Sequence, residues 1–237
     1  MMRAVVVDNE QNAREELEAL LAEAGDIAVV GACANAIQAV RAIRAARPDV
    51  IFVDIHMPKV DGFQLVSMIE PEIMPCVVFV TAHDEYALKA FEENAVDYLL
   101  KPVQAERLAR TLEKVRRYLG EGRKPVFQSP AIERIPCVCA QGTKLVAAVD
   151  VEFVRSSETG VHLVTARGEF LTELTLSLLE AKVPRMVRVH KQFLVNLDHV
   201  DVVGKGEPAS VTLRTRSGQP VPVTRRYLAD LKERLGI

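Results

Sequence analysis

The sequence predicts two domains of different fold class, a doubly wound α/β domain with a five-stranded parallel sheet followed by a mainly-β domain. In the first half of the chain, short apolar runs alternate with segments of helical apolar spacing, which is the pattern of βα units with right-handed crossovers. In the second half, short alternating segments are punctuated by glycines, a pattern typical of an all-β fold. Glycines and prolines between residues 120 and 130 separate the two patterns and predict a linker.

Five apolar runs in the first half predict the strands of the parallel sheet. They are nearly continuous in apolar residues, as expected of strands that are covered on both faces, and they span residues 4–7, 27–30, 50–53, 77–80 and 98–100. Apolar stripes at helical spacing predict helices at residues 11–24, 36–46, 62–69, 84–93 and 104–119. Five βα units of this kind form one domain, which we place at residues 2–120.

The second half carries shorter alternating segments and few helices. The predicted strands span residues 144–149, 161–166, 186–189, 193–196 and 211–215. Two short helices are predicted near residues 174–181 and 225–235. Since no two helices follow each other across a tight turn, a helix-turn-helix is not expected. We place this domain at residues 133–237 and the linker at residues 121–132.

Charge is divided unevenly between the two halves of this chain of 237 residues. Residues 1–120 carry 13 basic and 19 acidic side chains, a net charge of −6, whereas residues 121–237 carry 17 and 13, a net charge of +4. The acidic half is suited to holding a cation and the basic half to meeting a polyanion. No apolar stretch approaches the ~20 residues of a membrane helix, and the start of the chain shows no signal peptide. A cytoplasmic protein is expected.

The four cysteines show no zinc spacing and no neighbouring histidine cluster. Reduced structural thiols are therefore expected for all four, Cys33, Cys76, Cys137 and Cys139. A redox role for Cys137 and Cys139 is the alternative, although alternation along a strand would simply place both thiols on one face.

Four polar side chains each follow an apolar run, and these are Asp8, Asp54, Thr81 and Lys101. Any one of them alone has an ordinary explanation, because an Asp after a strand is commonly a turn former and a lone Thr or Lys is usually surface. The carboxyl ends of parallel strands meet at one edge of the sheet, where α/β folds place their reactive groups. The combination therefore predicts one shared site.

The four side chains match what phosphoryl transfer to a carboxylate requires. Asp54 can be the nucleophile, and Asp8 can hold Mg²⁺, a hard cation that prefers oxygen ligands. Lys101 can pair with a phosphoryl oxygen as a mobile charge. Thr81 can donate a hydrogen bond to the phosphoryl group, and the main-chain carbonyl of His56 is a candidate further metal ligand.

Four segments carry a resemblance to a known family, namely VVDNE at 6–10, VDIHMPKVDG at 53–62, FVTA at 79–82 and DYLLKP at 97–102. They resemble the receiver domain of two-component response regulators over about residues 2–120. The resemblance implies a flavodoxin-like fold, phosphorylation of Asp54 by a sensor histidine kinase, a switch pair formed by Thr81 and Tyr98, and a cis Lys101–Pro102 bond.

One position departs from the receiver pattern. Receivers usually carry two acidic residues where this chain has Asp8 and Asn9. An amide oxygen can still coordinate Mg²⁺, but more weakly than a carboxylate. We therefore expect a metal site formed by Asp8, Asn9, Asp54 and the His56 carbonyl, with reduced affinity, while Asp54 remains a phosphoacceptor.

The basic half contains two segments rich in cations, residues 186–200 and 221–228. Solvated charges on an amphipathic strand would explain the first segment. In the second, Thr224 is a good N-cap, yet Arg225 and Arg226 fall in the first helical turn, where positive charge opposes the helix macrodipole. That arrangement is understandable if both arginines face a phosphate backbone.

These segments, together with residues 150–154, resemble the LytTR-type DNA-binding domain over about residues 133–237. The family is a mainly-β fold that presents loops to successive major grooves of double-stranded DNA. The resemblance implies DNA contacts by Lys191 and Arg225, with His190 and Arg226 as neighbours. Another family contact falls at Thr159–Gly160, where glycine has no side chain to read a base.

The sequence thus predicts a bacterial response regulator in which phosphorylation of Asp54 shifts a two-state receiver, favours a homodimer and changes DNA binding and transcription. One alternative is a phosphorylation-independent DNA binder whose receiver is only a dimerisation module, which Asn9 favours. A Mg²⁺-dependent aspartyl-phosphate hydrolase is another, but His56 stands where its second carboxylate would be, so an enzyme is not expected. An RNA-binding output is disfavoured by the few aromatics on the β segments.

Overall fold

The computed structural model describes residues 1–83, 94–122, 127, 131–140, 142–206 and 210–237. It divides into two compact units, Met1–Pro130 and Ala131–Ile237. The helix predicted at residues 84–93 lies outside the described residues, as do residues 123–126 and 128–130 of the predicted linker. The predicted domain limits stay predictions.

The first unit is built on a parallel five-stranded sheet of order β2-β1-β3-β4-β5. The strands are β1 Met2–Val7, β2 Ile27–Cys33, β3 Val50–Asp54, β4 Cys76–Thr81 and β5 Asp97–Leu100. The described helices are α1 Gln11–Glu23, α2 Ala36–Ala46, α3 Gly62–Ser67 and α4 Ala105–Gly120. The predicted α/β class and parallel sheet are confirmed. Its strand order places β1 and β3 side by side, with β4 next.

The core of this unit forms because the apolar stripes of the helices cover the apolar strands. Leu17 and Leu21 of α1 and Leu108, Leu112 and Val115 of α4 are all buried in one cluster with residues of the sheet. Burial of apolar surface on both faces of the sheet leaves the strand ends as the places where polar groups emerge.

Helix α3 begins unusually close to the end of β3. Asp61 and Gln64 form a capping box at its start, and the Gly62 amide donates to the Ile55 carbonyl at 3.0 Å. A Cβ atom on Gly62 would lie 2.6 Å from the Asp54 carbonyl oxygen and 3.0 Å from the Ile55 Cα. Only glycine allows this approach without a backbone shift, so the sequence at position 62 fixes the backbone around Asp54.

The second unit contains two antiparallel sheets. The larger has seven strands in the order β11-β12-β8-β9-β10-β6-β7, and the smaller has the order β13-β14-β15. The strands are β6 Arg134–Cys139, β7 Gly142–Ala147, β8 Val151–Ser157, β9 Gly160–Thr165, β10 Gly168–Thr172, β11 Met186–His190, β12 Phe193–Asn196, β13 Val200–Gly206, β14 Ser210–Thr215 and β15 Pro220–Val223. The predicted mainly-β class is confirmed.

The described residues of the second unit form two α-helices, α5 Leu176–Lys182 and α6 Arg225–Leu235, and five strands separate them in the sequence. They are therefore not neighbours across a turn, and the described residues contain no helix-turn-helix. The predicted strand at residues 144–149 ends at Ala147, because Ala148–Asp150 form a 3-10 turn. The predicted helix at residues 174–181 begins later, because the Thr175 hydroxyl caps it by accepting from the Leu178 amide at 3.2 Å.

One apolar cluster joins the sheets of the second unit. Val187 and Val189 of β11, Leu213 of β14, Val223 of β15 and Leu231 of α6 are buried in it. This cluster anchors α6 against the end of β11, which positions the start of that helix.

The thiols follow the expectation for reduced structural cysteines. All four are free, with Cys33, Cys76 and Cys137 buried and Cys139 partly exposed. Burial raises the pKa of the Cys33 thiol to about 11 and the pKa of the Cys76 and Cys137 thiols to about 12. Protonated thiols are poor nucleophiles, so burial of Cys137 disfavours thiolate chemistry at that position. Among the described residues, no helix is long and apolar enough to cross a membrane.

Candidate functional site

Three of the predicted side chains meet at the carboxyl edge of the parallel sheet. The Lys101 Nζ atom lies 2.6 Å from Asp8 Oδ2 and 3.3 Å from Asp54 Oδ2. Both carboxylates are buried, with 4% and 5% of each residue exposed. One ammonium group therefore bridges two buried acids that come from β1 and β3.

Backbone amides hold the two carboxylates in place. The Glu10 amide donates to Asp8 Oδ1 at 2.9 Å, and the His56 amide donates to Asp54 Oδ1 at 3.3 Å. In addition, Arg14 Nη1 of α1 donates to the Asp8 main-chain carbonyl at 2.7 Å. Each acid is thus oriented by the loop that follows its own strand, with its other oxygen directed at Lys101.

The charges of the site are coupled. Burial raises the pKa of the Asp54 carboxyl above its usual value, with the nearby Asp8 charge adding to the effect and Lys101 opposing it. Burial alone would lower the pKa of the Lys101 ammonium, but its hydrogen bond to Asp8 and the charge of Asp54 outweigh burial and raise it. The result is a carboxylate of increased basicity beside a permanently charged cation.

Thr81 ends β4 and is fully buried. Its hydroxyl lies 3.4 Å from His56 Nδ1 and accepts from the His83 amide at 3.5 Å. The predicted partner of Thr81, Tyr98, donates its hydroxyl to the His83 carbonyl. The two predicted switch residues are therefore connected through His83, and the Lys101–Pro102 bond is cis as expected.

The oxygen atoms at this edge suit a hard divalent cation. The carboxylates of Asp8 and Asp54 face the same cation, Lys101, and Asn9 and His56 follow these two acids by one and two residues in the chain. Among the described residues, no group of three or more His, Cys, Asp or Glu side chains is placed to hold a metal. A cation here would therefore draw on Asp8, Asp54, amide or carbonyl oxygens and water, the ligand set that Mg²⁺ prefers.

A cavity of about 390 Å³ opens beside this edge. It is lined by residues of α1 and of the segment after β5, including Asp8, Glu10, Asn12, Lys101 and Pro102. The bridging ammonium and one of the two acids therefore face open space.

In the second unit, the predicted DNA-contacting residues come together from separate parts of the chain. His190 ends β11, Lys191 lies in the turn to β12, and Arg225 and Arg226 begin α6. The Thr224 amide donates to the Val189 carbonyl at 2.9 Å. This bond places the start of α6 directly beside the β11–β12 turn.

The four side chains differ in their surroundings. Lys191, Arg225 and Arg226 are exposed. His190 is half-buried, accepts from the Gln192 amide at 3.1 Å through Nδ1 and packs edge-on against the Phe193 ring at 5.5 Å. The structure therefore places three cations on the surface, whereas His190 helps to shape the turn.

Thr224 occupies the N-cap position of α6, but its hydroxyl accepts no hydrogen bond from the first turn of the helix, all of which is described. The expectation of a side-chain cap is wrong, because the backbone at Thr224 is held by β11. The first amide groups of α6 thus lack the cap that Thr224 was expected to supply, and a bound anion could take its place.

The turn between β8 and β9 lies next to the same surface. The Ser156 amide donates to the Gln192 carbonyl at 2.8 Å, which joins the two turns. Gly160 has φ +122, a backbone conformation that residues with a side chain rarely adopt, and a Cβ atom there would lie 2.8 Å from Leu171 Cδ1, which would have to move. The Thr159 hydroxyl is exposed and hydrogen-bonded to His162 Nε2 at 2.9 Å.

Sequence reasoning missed two participants in these sites, His83 and Gln192. His83 gave a signal only through its spacing of two residues after Thr81. Gln192 gave none, because its role depends on which turns meet in the folded unit. Both contribute main-chain hydrogen bonds to these sites.

Comparison with known proteins gives matches for both units. A family model described as the response regulator receiver domain matches residues 4–113, and a model described as the LytTr DNA-binding domain matches residues 141–236. The described elements in these ranges are those of the first and second units.

Curated relatives match the whole chain. A protein of Vibrio cholerae serotype O1 described as an uncharacterized response regulatory protein is 45% identical over 236 residues, covering 100% of this chain and 99% of the relative. The transcriptional regulatory protein BtsR of Salmonella typhi is 44% identical over 242 residues, covering 100% of both chains. A solved structure, the response regulatory domain of protein mrkE from Klebsiella pneumoniae, is 32% identical with a TM-score of 0.46, covering 51% of this chain and 99% of that one.

Proposed function

The chain belongs to the transcriptional response regulators that join a receiver domain to a LytTR DNA-binding domain, and from this premise we propose that a sensor histidine kinase phosphorylates Asp54 and thereby controls DNA binding. The observation that carries the proposal is the bridge from Lys101 to the buried carboxylates of Asp8 and Asp54. Such a bridge has little value for stability, but it supplies a nucleophile and a cation at one point.

The chemistry proposed for Asp54 is in-line transfer from a phosphohistidine. A carboxylate oxygen of Asp54 attacks the phosphorus, a P–O bond forms, and the P–N bond breaks with its electron pair remaining on the imidazole nitrogen. Lys101 then pairs with an oxygen of the transferred group, exchanging one carboxylate contact for a phosphoryl contact.

Asp8, Asn9, Asp54 and the His56 carbonyl are the groups that we propose to hold Mg²⁺. When bound, this ion supplies positive charge that neutralises the phosphoryl oxygens during transfer. Because Asn9 is neutral, the site has one negative charge fewer than the usual receiver pattern. We therefore propose weakened metal binding with phosphorylation retained.

Thr81 and Tyr98 are the proposed switch pair. Once Asp54 carries a phosphoryl group, the Thr81 hydroxyl can donate to one of its oxygens. Since Thr81 and Tyr98 both bond to His83, a movement of Thr81 is transmitted to the Tyr98 hydroxyl through one residue. Arrangements of this kind can have two discrete states.

The surface formed by Lys191, Arg225, Arg226 and His190 is the proposed DNA interface. Three exposed cations and a helix N-terminus without a side-chain cap suit phosphate groups. Lys191 is less suited than arginine to bidentate readout of guanine, so we assign it to a phosphate. Arg225 is the better candidate for a base contact.

We further propose that phosphorylation favours a homodimer and that the protein acts in the cytoplasm, where kinase and DNA are both within reach. The dimer face would include β5 and α4. On that face Leu100 is 47% exposed, and Asp97 pairs with Arg107 and Lys114.

The proposal is tested by measuring operator affinity of full-length protein with and without a small phosphodonor, for the wild type and for Asp54→Asn. The operator is first located by footprinting across the genome. We expect the phosphodonor to tighten wild-type binding and to leave the Asp54→Asn variant unchanged. Equal operator affinity of the wild type with and without the donor would overturn it.

Asn9 favours a second candidate, a DNA binder whose receiver serves only for dimerisation. In that case operator affinity is the same for the wild type and for Asp54→Asn, with and without the donor, whereas Arg225→Ala still weakens binding. The same experiment therefore separates the two functions.

A further inference from the structure

Two histidines pack against each other at the edge of the parallel sheet. The rings of His56 and His83 have centroids 4.5 Å apart and planes tilted by 49°. His56 follows β3 and His83 follows β4, so the pair joins the two loops that flank Asp54 and Thr81. Both residues are exposed, so a hydrophobic core does not explain the contact.

The Thr81 hydroxyl contacts both residues of this pair. Its oxygen is 3.4 Å from His56 Nδ1 and 3.5 Å from the His83 amide nitrogen. A threonine hydroxyl has one proton to donate, and its oxygen accepts from others. The His83 amide donates its own proton to this oxygen, so the proton of the Thr81 hydroxyl can be donated to His56 Nδ1, with the His56 ring in the tautomer that leaves Nδ1 unprotonated.

We propose that the His56–His83 pair holds the Thr81 hydroxyl in its resting position, so that His56 and a phosphoryl group on Asp54 compete for the same proton. His56 is then a positioning residue that opposes switching. His83 has two roles. Its amide hydrogen bond fixes the Thr81 oxygen, and its ring keeps the exposed His56 ring from adopting other rotamers.

The consequence for signalling rests on the proposed phosphorylation of Asp54. Each phosphoryl group must first displace His56 from Thr81 before the switch moves. The pair therefore sets how much phosphorylation is needed for a given response, and a variant without the His56 nitrogen should respond to less.

The resting contact can be tested in full-length protein without any phosphoryl group. Three-bond couplings of the Thr81 methyl group, measured by NMR, report whether its side chain occupies one rotamer. We expect a single rotamer in the wild type and rotamer averaging in His56→Ala and in His56→Phe, which keeps the ring but lacks the nitrogen. His56→Gln, which retains a hydrogen-bonding group, should restore the single rotamer.

The competition is tested by titrating beryllofluoride, a phosphoryl mimic, in the presence of Mg²⁺. For His56→Ala and His56→Phe we expect half-saturation at a concentration about two- to tenfold lower than in the wild type, the range that corresponds to one hydrogen bond of ordinary net strength. In a Thr81→Ala background, His56→Ala should have no further effect, because no hydroxyl remains to be held. His162→Ala, in the second unit, serves as the control and should leave the midpoint unchanged.

A single Thr81 rotamer in both His56→Ala and His56→Phe would overturn the proposal, as would a midpoint equal to or above that of the wild type. An effect of His56→Ala that persists in the Thr81→Ala background would also overturn it. Failure of the proposed function has a different signature: the wild type itself would not respond to beryllofluoride. In that case the rotamer measurement still decides whether His56 holds Thr81.

Discussion

Asp54 and Asp97 are both mostly buried carboxylates of the same unit, yet their surroundings move their pKa values in opposite directions. Burial raises the pKa of Asp54, and one shared ammonium does not reverse it. Burial would also raise the pKa of Asp97, but hydrogen bonds from Arg107, Thr111 and Lys114 outweigh it and hold that pKa well below its usual range. The negative charge of Asp97 is thus well stabilised by its neighbours and contributes to the stability of the fold. The negative charge of Asp54 is stabilised less, because its neighbours do not offset the effect of burial.

Replacing Asp97 by asparagine is expected to lower the free energy of unfolding near neutral pH by about 1–2 kcal/mol. The value is at the low end for charged hydrogen bonds because Arg107 and Lys114 can be solvated when released. A depressed folded-state pKa stabilises the fold above the unfolded-state value, and this contribution is lost as pH falls below about 4. Denaturant unfolding of wild type and variant over a pH series should therefore show the difference shrinking in acid.

Asp26→Asn is the matched control for Asp97→Asn, because Asp26 pairs with Arg116 in an exposed ion pair. Its change in stability should be clearly smaller than that of Asp97→Asn. Equal losses in the two variants would contradict the role given to burial of Asp97.

Replacing Asn9 by aspartate is expected to tighten Mg²⁺ binding. The change restores a carboxylate next to Asp8, and carboxylates bind Mg²⁺ more strongly than amides. Isothermal titration of Mg²⁺ into both proteins measures the two affinities. Equal affinities would show that Asn9 does not belong to the metal site.

At the scale of elements, the position of Asp54 depends on how closely α3 follows β3. The chain makes this approach by placing Gly62 where a Cβ atom would meet the backbone of Asp54 and Ile55. Gly62 is thus needed because the backbone of α3 comes so close to the backbone of Asp54 and Ile55, and not because of a positive φ. A turn pattern in the sequence therefore could not reveal its role.

Gly62→Ala is expected to destabilise the protein by about 1–3 kcal/mol, the cost of overpacking against atoms that cannot turn away. It should also slow phosphorylation of Asp54, because the displaced backbone belongs to Asp54 itself. Denaturant unfolding and the rate of labelling by a small phosphodonor measure the two effects. Gly120→Ala is the matched control, since a Cβ atom there meets nothing within 4 Å; it should be neutral or stabilising by up to about 1 kcal/mol.

Helix α6 shows a similar dependence of function on placement. Arg225→Ala is expected to weaken operator binding and to relax discrimination at one base pair while leaving the slope of log affinity against log salt unchanged, because Arg225 is the proposed base contact. A slope reduced by about one with base discrimination intact would instead assign Arg225 to a phosphate. Lys232→Ala, in the last turn of the same helix, is the control and should leave both the affinity and the slope unchanged.

Most elements were predictable because apolar periodicity is a local property of the sequence. The five parallel strands and the four polar side chains at their ends follow from it directly. Five strands of the second unit fall outside the predicted segments, namely β6, β8, β10, β13 and β15. Strand β15 was missed because Pro220 and Pro222 argue against a strand, whereas β15 is an edge strand and edge strands tolerate proline. The role of His83 and the hydrogen bond between Ser156 and Gln192 depend on which loops meet in the folded unit. No local sequence pattern indicates which loops these are.

For the whole molecule, the central fact is that each unit has its own buried core. The acidic and basic halves of the sequence correspond to these units, so the proposed cation site and the proposed DNA interface belong to units with separate cores. The sequence predicted this division from charge and periodicity alone.

Thermal unfolding of the full chain is therefore expected to show two transitions rather than one. Mg²⁺ with beryllofluoride should raise the midpoint of one transition, and operator DNA should raise the midpoint of the other. A ligand at a hundredfold its dissociation constant stabilises its unit by about 2.7 kcal/mol, which differential scanning calorimetry resolves. One transition shifted equally by both ligands would contradict two independent cores.

The hydrogen bond from the Thr224 amide to the Val189 carbonyl has a practical consequence for anyone who alters the end of the chain. Helix α6 reaches residue 235, and Leu231 within it is fully buried. Clipping the last two turns would remove that anchor and release Arg225 and Arg226 from the β11–β12 turn, although none of the four proposed DNA-contacting residues had been deleted. If the proposed function holds, a protease acting on the C-terminal helix would thus abolish DNA binding while leaving Asp54 open to phosphorylation, and affinity tags belong at the exposed Met1 instead.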